Sequence, residues 1–459
     1  MLKVVNPATE ELLAELEEDD APTLARKTAA ARAAQRTWAQ TPLAERLAAV
    51  RRFGELLQSR RESLAMTLTQ EVGKPIRQSR NELKAMQARI DFFLQHTAAA
   101  IEEEVVLPAT GSPAMEERIR YEPLGIVASI SAWNYPYFVG SNVFLPALLT
   151  GNAVLYKPSE YATLTGLAVA DLLQKAGVPK EIFQTVVGAG DTGRALLEQD
   201  VDAVCFTGSY ATGRRVAEAA ARRLLRVQLE LGGKDPAYVC DDVDATTAAN
   251  ALAEGAFYNA GQSCCAVERI YVHRAIAGAF VKAFVEAAGA LVVGDPADER
   301  TDVGPLARRA QLDVLQAQVA DAVAHGARLG LGGKRRAGRG SYFEPTVLTR
   351  ADHGMTLMRE ESFGPIIGIQ EVDDDDEAVR LMNDTEYGLT AAVYTGDRSR
   401  AERILSQVNA GSAYWNCCDR VSPRLPWSGR KHSGLGTTLS VAGIRTFVQP
   451  KAWHLRWGS

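Results

Sequence analysis

The stretch VDAVCFTGSYATG, residues 201–213, decides the fold. It opens as an apolar run of strand length, breaks at Gly208, and continues from Ser209 with small and polar residues that suit a helix start. A strand that turns through glycine into a helix is the joint of a parallel α/β sheet, whose ligands gather at the carboxyl ends of its strands. Toward the N-terminus the same alternation predicts a strand at 153–157, an amphipathic helix at 163–176, the strand IFQTVV at 182–187 and a helix near 191–199. Toward the C-terminus a helix runs from about 209, followed by a strand near 225–230 that ends in Glu230. The pattern restarts with PAYVC at 236–240, a helix over 243–259 and the strand VERIYV at 267–272, and continues as αβ pairs to SAYWN at 412–416. A domain boundary therefore falls at Gly232–Gly233, where a glycine pair permits a sharp crossing. The opening 100 residues read as mostly helical, with runs such as LARKTAAARAAQRTWAQ at 24–40.

Length and charge narrow the function. A chain of 459 residues exceeds one ordinary core and predicts two or three domains. A net charge of -5 with acids and bases interspersed argues against nucleic acid or an acidic membrane as partner. Residues 123–156 carry no charge, yet Asn134, Pro136, Asn142, Pro146, Gly151 and Asn152 interrupt them, so they read as a strand (GIVASIS), an active-site loop, a short buried helix (NVFLPALL) and a second strand (NAVLYK). The N-terminus lacks the basic start and apolar run of a signal peptide. Cys205, Cys240, Cys264, Cys265, Cys417 and Cys418 show neither disulfide-scaffold spacing nor a CxxC pair, so a reducing cytoplasm is expected and no metal site. GGKRRAGRGS at 332–341 reads as a solvated hairpin or loop, and DDDD at 373–376 as the acidic start of a helix.

Four segments carry the chemistry. GQSCC at 261–265 lies 34 residues beyond the carboxylate of LELGGK at 229–234, which supplies a thiol and a base. SAWNYPYF at 131–138 adds the amide of Asn134, and EESFGP at 360–365 adds a carboxylate and an aromatic ring two residues apart. A cysteine alone is more often packing than nucleophile, and Phe363 and Glu361 taken singly read as core and surface. At 206–213, Gly208, Ser209 and Gly213 leave free N–H groups at a helix start, which suits phosphate, although the spacing is not GxGxxG and a structural turn explains it equally well.

These segments, in this order and from NPATEE at 6–11 to SGLG at 433–436, resemble the NAD(P)-dependent aldehyde dehydrogenase superfamily. The resemblance implies a doubly wound NAD-binding domain (1–105 and 124–231), a second α/β catalytic domain (232–432) and a small β oligomerisation extension (106–123 and 445–459), assembled as a homodimer or homotetramer. It implies that Cys264, the second residue after Gln262, is the nucleophile, that Glu230 activates the deacylating water, and that Asn134 stabilises the oxyanion. It places the cofactor on Trp133, Lys157, Ser159, Glu160, Gly208, Ser209, Gly213, Leu231, Glu361 and Phe363. Glu160 at the end of KPSE would accept the ribose 2′-hydroxyl and repel a 2′-phosphate, so NAD is expected, with NADP as the alternative.

The chemistry agrees: a thiolate adds to an aldehyde, the alkoxide collapses to a thioester, and water cleaves it. Chemistry by itself does not choose between Cys264 and Cys265. The aldehyde pocket is expected between Tyr135, Tyr137, Phe138 and Asn142 on one side and Trp427 on the other, with Cys417 and Cys418 as funnel wall or core. Arg420 and Arg424 lie in the segment that forms the funnel mouth in relatives and would fork onto the carboxylate of a semialdehyde such as succinate semialdehyde. The alternatives are an apolar or aromatic aldehyde, a CoA-acylating semialdehyde dehydrogenase, and a non-enzymatic protein on the same fold.

Overall fold

The computed structural model describes residues 1–111 and 114–457. Ser112 and Pro113, within the expected β extension, and Gly458 and Ser459 at its end lie outside the described residues. The strand Ala203–Thr207 leads through Gly208 and Ser209 into the helix Tyr210–Ala221. It belongs to a six-stranded sheet in the order Gly434–Leu435, Arg226–Glu230, Ala203–Thr207, Ile126–Ile130, Ala153–Lys157, Phe183–Thr185. All pairings are parallel except that of the short strand Gly434–Leu435. Chain order reverses between Ile126–Ile130 and Ala203–Thr207, so a crevice opens there at the carboxyl ends of the strands. The residues next along the chain from those two strands are the start of SAWN and the Gly208–Ser209 turn. Central strands such as Ala153–Lys157 are buried throughout, which is why they read as unbroken apolar runs rather than alternating ones.

A second sheet of seven strands runs Arg328–Leu331, Thr346–Thr349, Ile366–Val372, Arg269–His273, Pro236–Val239, Thr390–Tyr394, Ser412–Trp415. Only the edge pair Arg328–Leu331 with Thr346–Thr349 is antiparallel, and the glycine-rich, basic segment 332–341 lies in the connection between them. The acidic run caps a helix as expected: the Asp374 side chain accepts from the Glu377 N–H at the start of Asp375–Asn383. A three-stranded antiparallel sheet joins Glu104–Thr110, Ala114–Pro123 and Val448–Trp457. Its strands begin at Glu104 and Val448 rather than at 106 and 445, because Ser440–Arg445 is a helix. The helical N-terminal hundred residues open instead with a hairpin, Leu2–Val5 against Leu12–Leu16. Among the described residues no helix is long and apolar enough to cross a membrane.

One segment departs from expectation in a way that shapes the site. The helix expected at 142–149 begins six residues earlier, spanning Pro136–Leu149. Pro136 sits in its first turn, where a missing N–H costs nothing. The next two N–H groups, of Tyr137 and Phe138, donate to Glu82 Oε1 at 2.9 and 3.3 Å, so a carboxylate from the helix Ile76–Ala100 caps this helix from outside. Glu82 is itself paired with Lys74 in a fully buried ion pair. No local pattern around residue 136 reveals such a partner.

Candidate active site

Glu230 ends its strand with its side chain almost wholly buried. Its Oε1 accepts from Gln228 Nε2 at 3.0 Å and Thr438 Oγ1 at 3.1 Å, whereas Oε2 has no protein partner. Burial pushes the carboxyl up to about 8, against the hydrogen bonds of Thr438 and Trp427, which hold it down. A carboxyl so poised can give up and retake a proton near neutrality, as a general base must.

The cysteine loop is bent by three successive left-handed residues, Asn259, Ala260 and Gly261, at φ 52°, 55° and 69°. The strain is fixed by side chains. Asn259 Nδ2 reaches the carbonyls of Asn134 and Gln262 at 3.2 and 3.1 Å, and Gln262 Oε1 accepts from the Ala307 N–H at 3.0 Å. Asn134, 3% exposed, donates to the Gln262 carbonyl at 3.2 Å, which ties its amide directly to the loop bearing the cysteines. Cys264 keeps partial exposure, while Cys265 is buried and donates to Asp419 Oδ1 at 2.9 Å. Contact with Cys264, burial and the Asp419 charge all push the Cys265 thiol well up, so it stays protonated and a poor nucleophile.

At the sheet's switch point the predicted cofactor residues come together. Ser209 precedes the helix Tyr210–Ala221 without capping it, its hydroxyl being 3.2 Å from Thr212 Oγ1, so the terminal N–H groups remain available to an anion. A Cβ on Gly213 would strike the Leu231 side chain, so glycine allows the helix to approach Leu231. Lys157 is buried at its strand end with Nζ 3.3 Å from the Pro158 carbonyl, and burial lowers its affinity for a proton against the pull of Glu160. Ser159 Oγ lies 3.1 Å from Glu160 Oε2. Across the crevice the Trp133 and Phe363 rings meet edge to face, with centroids 5.5 Å apart. Glu361 Oε1 accepts from the Gly233 N–H at 3.0 Å, and a Cβ on Gly232 would collide with that carboxylate. Burial, and then repulsion by Glu268, raise the Glu361 carboxyl to about 8.

Sequence reasoning missed the support behind this loop. Lys234 and Glu268 form a buried ion pair at 2.6 Å. Glu268 also accepts from the Ser362 and Phe363 N–H groups at 2.8 and 2.9 Å, which holds Phe363 at an unfavourable φ of 47°. The available signal was a charge inside the apolar strand segment VERIYV.

The expected pocket residues divide. Tyr135 and Phe138 stack at 5.9 Å, backed by Lys74 Nζ 3.7 Å from the first ring and the Arg89 guanidinium carbon 3.8 Å from the second. Asn142 faces Arg89, accepting from its Nε at 2.8 Å. Tyr137 does not line a pocket: it is fully buried, with its hydroxyl donating to the Leu64 carbonyl at 3.1 Å. Trp427 is buried on the Glu230 side. Cys418 packs against Gly255 and its Sγ lies 3.4 Å from the Tyr394 hydroxyl. Arg420 and Arg424 are both exposed, and neither guanidinium is paired with a carboxylate among the described residues.

Comparison with known proteins agrees with this geometry. The model of the aldehyde dehydrogenase family matches residues 1–453. The chain is 37% identical over 459 residues to betaine aldehyde dehydrogenase of Cereibacter sphaeroides, covering all of this chain and 94% of that one. It superposes on the crystal structure of an NAD-dependent aldehyde dehydrogenase from Sinorhizobium meliloti with a TM-score of 0.96 and 34% identity, over 100% of this chain and 92% of that one. Lactaldehyde dehydrogenase from Escherichia coli is similar at a TM-score of 0.95 and 32% identity, over 99% and 95% of the two chains. The chain belongs to the aldehyde dehydrogenase family.

Proposed function

We propose that the protein oxidises an aldehyde to a carboxylic acid with NAD, through a thioester on Cys264 that water hydrolyses. The observation that carries this reading is the hydrogen bond from Asn134 to the Gln262 carbonyl, which sets an amide donor against the loop of a partly exposed cysteine. The Cys264 thiolate adds to the aldehyde carbon, and the alkoxide so formed takes hydrogen bonds from the remaining Asn134 N–H and the Cys264 backbone N–H. NAD, when bound, accepts the hydride whose departure turns the adduct into a thioester. Glu230 then removes a proton from water through its unpartnered oxygen, and the hydroxide displaces Cys264 to release the acid. The residues present suit the cofactor. The uncapped helix start after Gly208 and Ser209 would take the pyrophosphate, with Gly213 and Leu231 packed behind it. Lys157, Ser159 and Glu160 would hold the adenosine ribose, Glu361 the nicotinamide ribose, and Trp133 and Phe363 the ring. A glutamate at 160 favours NAD over NADP.

The presence of Glu230 favours hydrolysis over transfer to CoA. Among substrates, a distal carboxylate as in succinate semialdehyde is the weaker reading, since Arg420 and Arg424 are exposed and the carboxylate bonded to the cysteine loop, Asp419, would repel it. The Cereibacter relative is named for betaine aldehyde, a cationic substrate, which is the stronger reading here. The same proposal assigns 1–105 with 124–231 to cofactor binding, 232–432 to catalysis, and 106–123 with 445–459 to assembly. The edge strand Glu104–Thr110 exposes Val105, Val106 and Leu107, which suits pairing with a second subunit, and six free cysteines suit the cytoplasm. Aldehyde-dependent NADH formation at 340 nm across a panel of aldehydes tests the activity; no NADH from any of them would refute it.

A further inference from the structure

Asp419 is a carboxylate bonded to the cysteine loop, and the reaction steps above make no use of it. Its backbone is left-handed, at φ 47°, a conformation that a non-glycine residue holds only when its surroundings insist. The surroundings are the cysteine loop: Ser263 Oγ donates to Asp419 Oδ1 at 3.1 Å and Cys265 Sγ at 2.9 Å. Oδ2 makes no hydrogen bond among the described residues, yet it is not sealed in the protein, because Asp419 keeps partial solvent access. Burial raises the Asp419 carboxyl's hold on its proton, so this group, with one oxygen satisfied and the other open and bonded to the nucleophile's neighbour, would ionise most readily beside a positive charge.

Tyr135, Tyr258 and Tyr414 all lie within the reach of the Asp419 charge. The hydroxyls of two are already engaged, Tyr258 by Asn81 Nδ2 at 3.2 Å and Tyr414 by the Arg420 carbonyl, and neither donates to Asp419. Of the nearby cations, Lys74 is neutralised by Glu82 and Arg89 is buried behind Phe138 and bonded to Asn142, while the exposed Arg420 acts on Asp419 by charge without pairing with it. An open carboxylate oxygen beside the cysteine loop suits one ligand chemistry above others, a positive charge.

We propose that Asp419 is a specificity-determining residue that receives the positively charged far end of the aldehyde, an ammonium or quaternary ammonium group, while the aldehyde carbon reaches Cys264. The proposal rests on Cys264 as the nucleophile. Because Asp419 is bonded to the residue beside Cys264, the linker between charge and carbonyl is short. A primary ammonium would donate directly to Oδ2, whereas a trimethylammonium group, which has no N–H, would rely on charge alone.

The test pairs each cation with a neutral isostere: betaine aldehyde with 3,3-dimethylbutanal, and 3-aminopropanal with butanal. The wild-type enzyme is expected to prefer the cationic member of at least one pair in kcat/KM by about tenfold or more, and the pair that shows it tells quaternary from primary ammonium. Asp419→Asn should remove most of that preference, chiefly through KM, while kcat/KM for the neutral member stays within about twofold. Loss of both members in proportion would overturn the proposal and leave Asp419 as a brace for the cysteine loop. A wild-type preference for succinate semialdehyde would overturn it in favour of a pocket that binds an anionic end. If Asp419→Asn fails to fold, inhibition of the wild-type enzyme decides: choline should compete with butanal at least tenfold better than 3,3-dimethylbutanol, and equal inhibition would reject the proposal. Oxidation of the neutral aldehydes without any cationic preference sinks this inference alone, whereas absence of NADH from every aldehyde sinks the proposed function.

Discussion

Replacing Glu230 by glutamine removes a proton acceptor while keeping the shape of the side chain and one hydrogen-bonding oxygen. With the carboxyl pushed up to about 8 by burial, ionisation is sparse at pH 7 and nearly complete at pH 9. If the ionised form activates the deacylating water, hydrolysis-limited turnover should rise about tenfold between those pH values, the ratio of ionised fractions one unit either side of the midpoint. Glu230→Gln should flatten this rise and leave a burst of NADH near one per active site followed by slow turnover. Stopped-flow absorbance at 340 nm reads both phases. The same group makes a stability prediction of opposite sense. Its folded value lies above the ordinary 4.5, so the folded state holds an extra proton between those values and loses stability as pH rises through that window. Between pH 6 and 8 the wild-type protein should therefore lose about 2–3 kcal/mol relative to Glu230→Gln, seen as a narrowing gap or crossing in Tm. Equal loss of burst and steady state in the variant, or an unchanged pH profile, refutes the role assigned to Glu230.

Three further outcomes are expected. NAD should give the higher kcat/KM, and Glu160→Gln should narrow the gap to NADP by roughly 1–3 kcal/mol in transition-state terms; a wild-type preference for NADP contradicts this. Gly232→Ala places a methyl on the Glu361 carboxylate, so the KM for NAD should rise about tenfold or more with the thermal stability changed far less; cofactor kinetics that stay level would remove Glu361 from the site. Arg420→Ala and Arg424→Ala should leave the KM for succinate semialdehyde within about twofold, as expected of solvated side chains; a tenfold rise specific to that substrate would restore them as carboxylate ligands.

The parallel sheets were legible because buried strands between helices print unbroken apolar runs, and Gly208 marks the break between a strand and the next helix. Strand position placed Lys157, Glu160 and Glu230 at or just beyond carboxyl ends, while the roles expected of them came from the family resemblance. What stayed hidden are side chains whose meaning lies in distant partners. Glu82 caps a helix more than 50 residues away in the chain, and Glu268 holds the turn at Phe363 from 95 residues away. The open oxygen of Asp419 depends on a contact with Cys265 across 154 residues. No local pattern encodes such pairings, because an isolated charge in a sequence looks the same whether it is solvated or buried against a partner. Tyr137 shows the converse error: its place beside Tyr135 suggested the pocket, yet helix geometry turns it into the core.

The central claim is that the sulfur of Cys264 carries the acyl group. It is tested most directly by quenching Glu230→Gln in acid during the NADH burst and mapping the acyl mass by peptide fragmentation. The account predicts a stoichiometric thioester on Cys264, none on Cys265, and its disappearance in Cys264→Ser but not in Cys265→Ser; an acyl group found on Cys265, or a burst that survives Cys264→Ser, contradicts it.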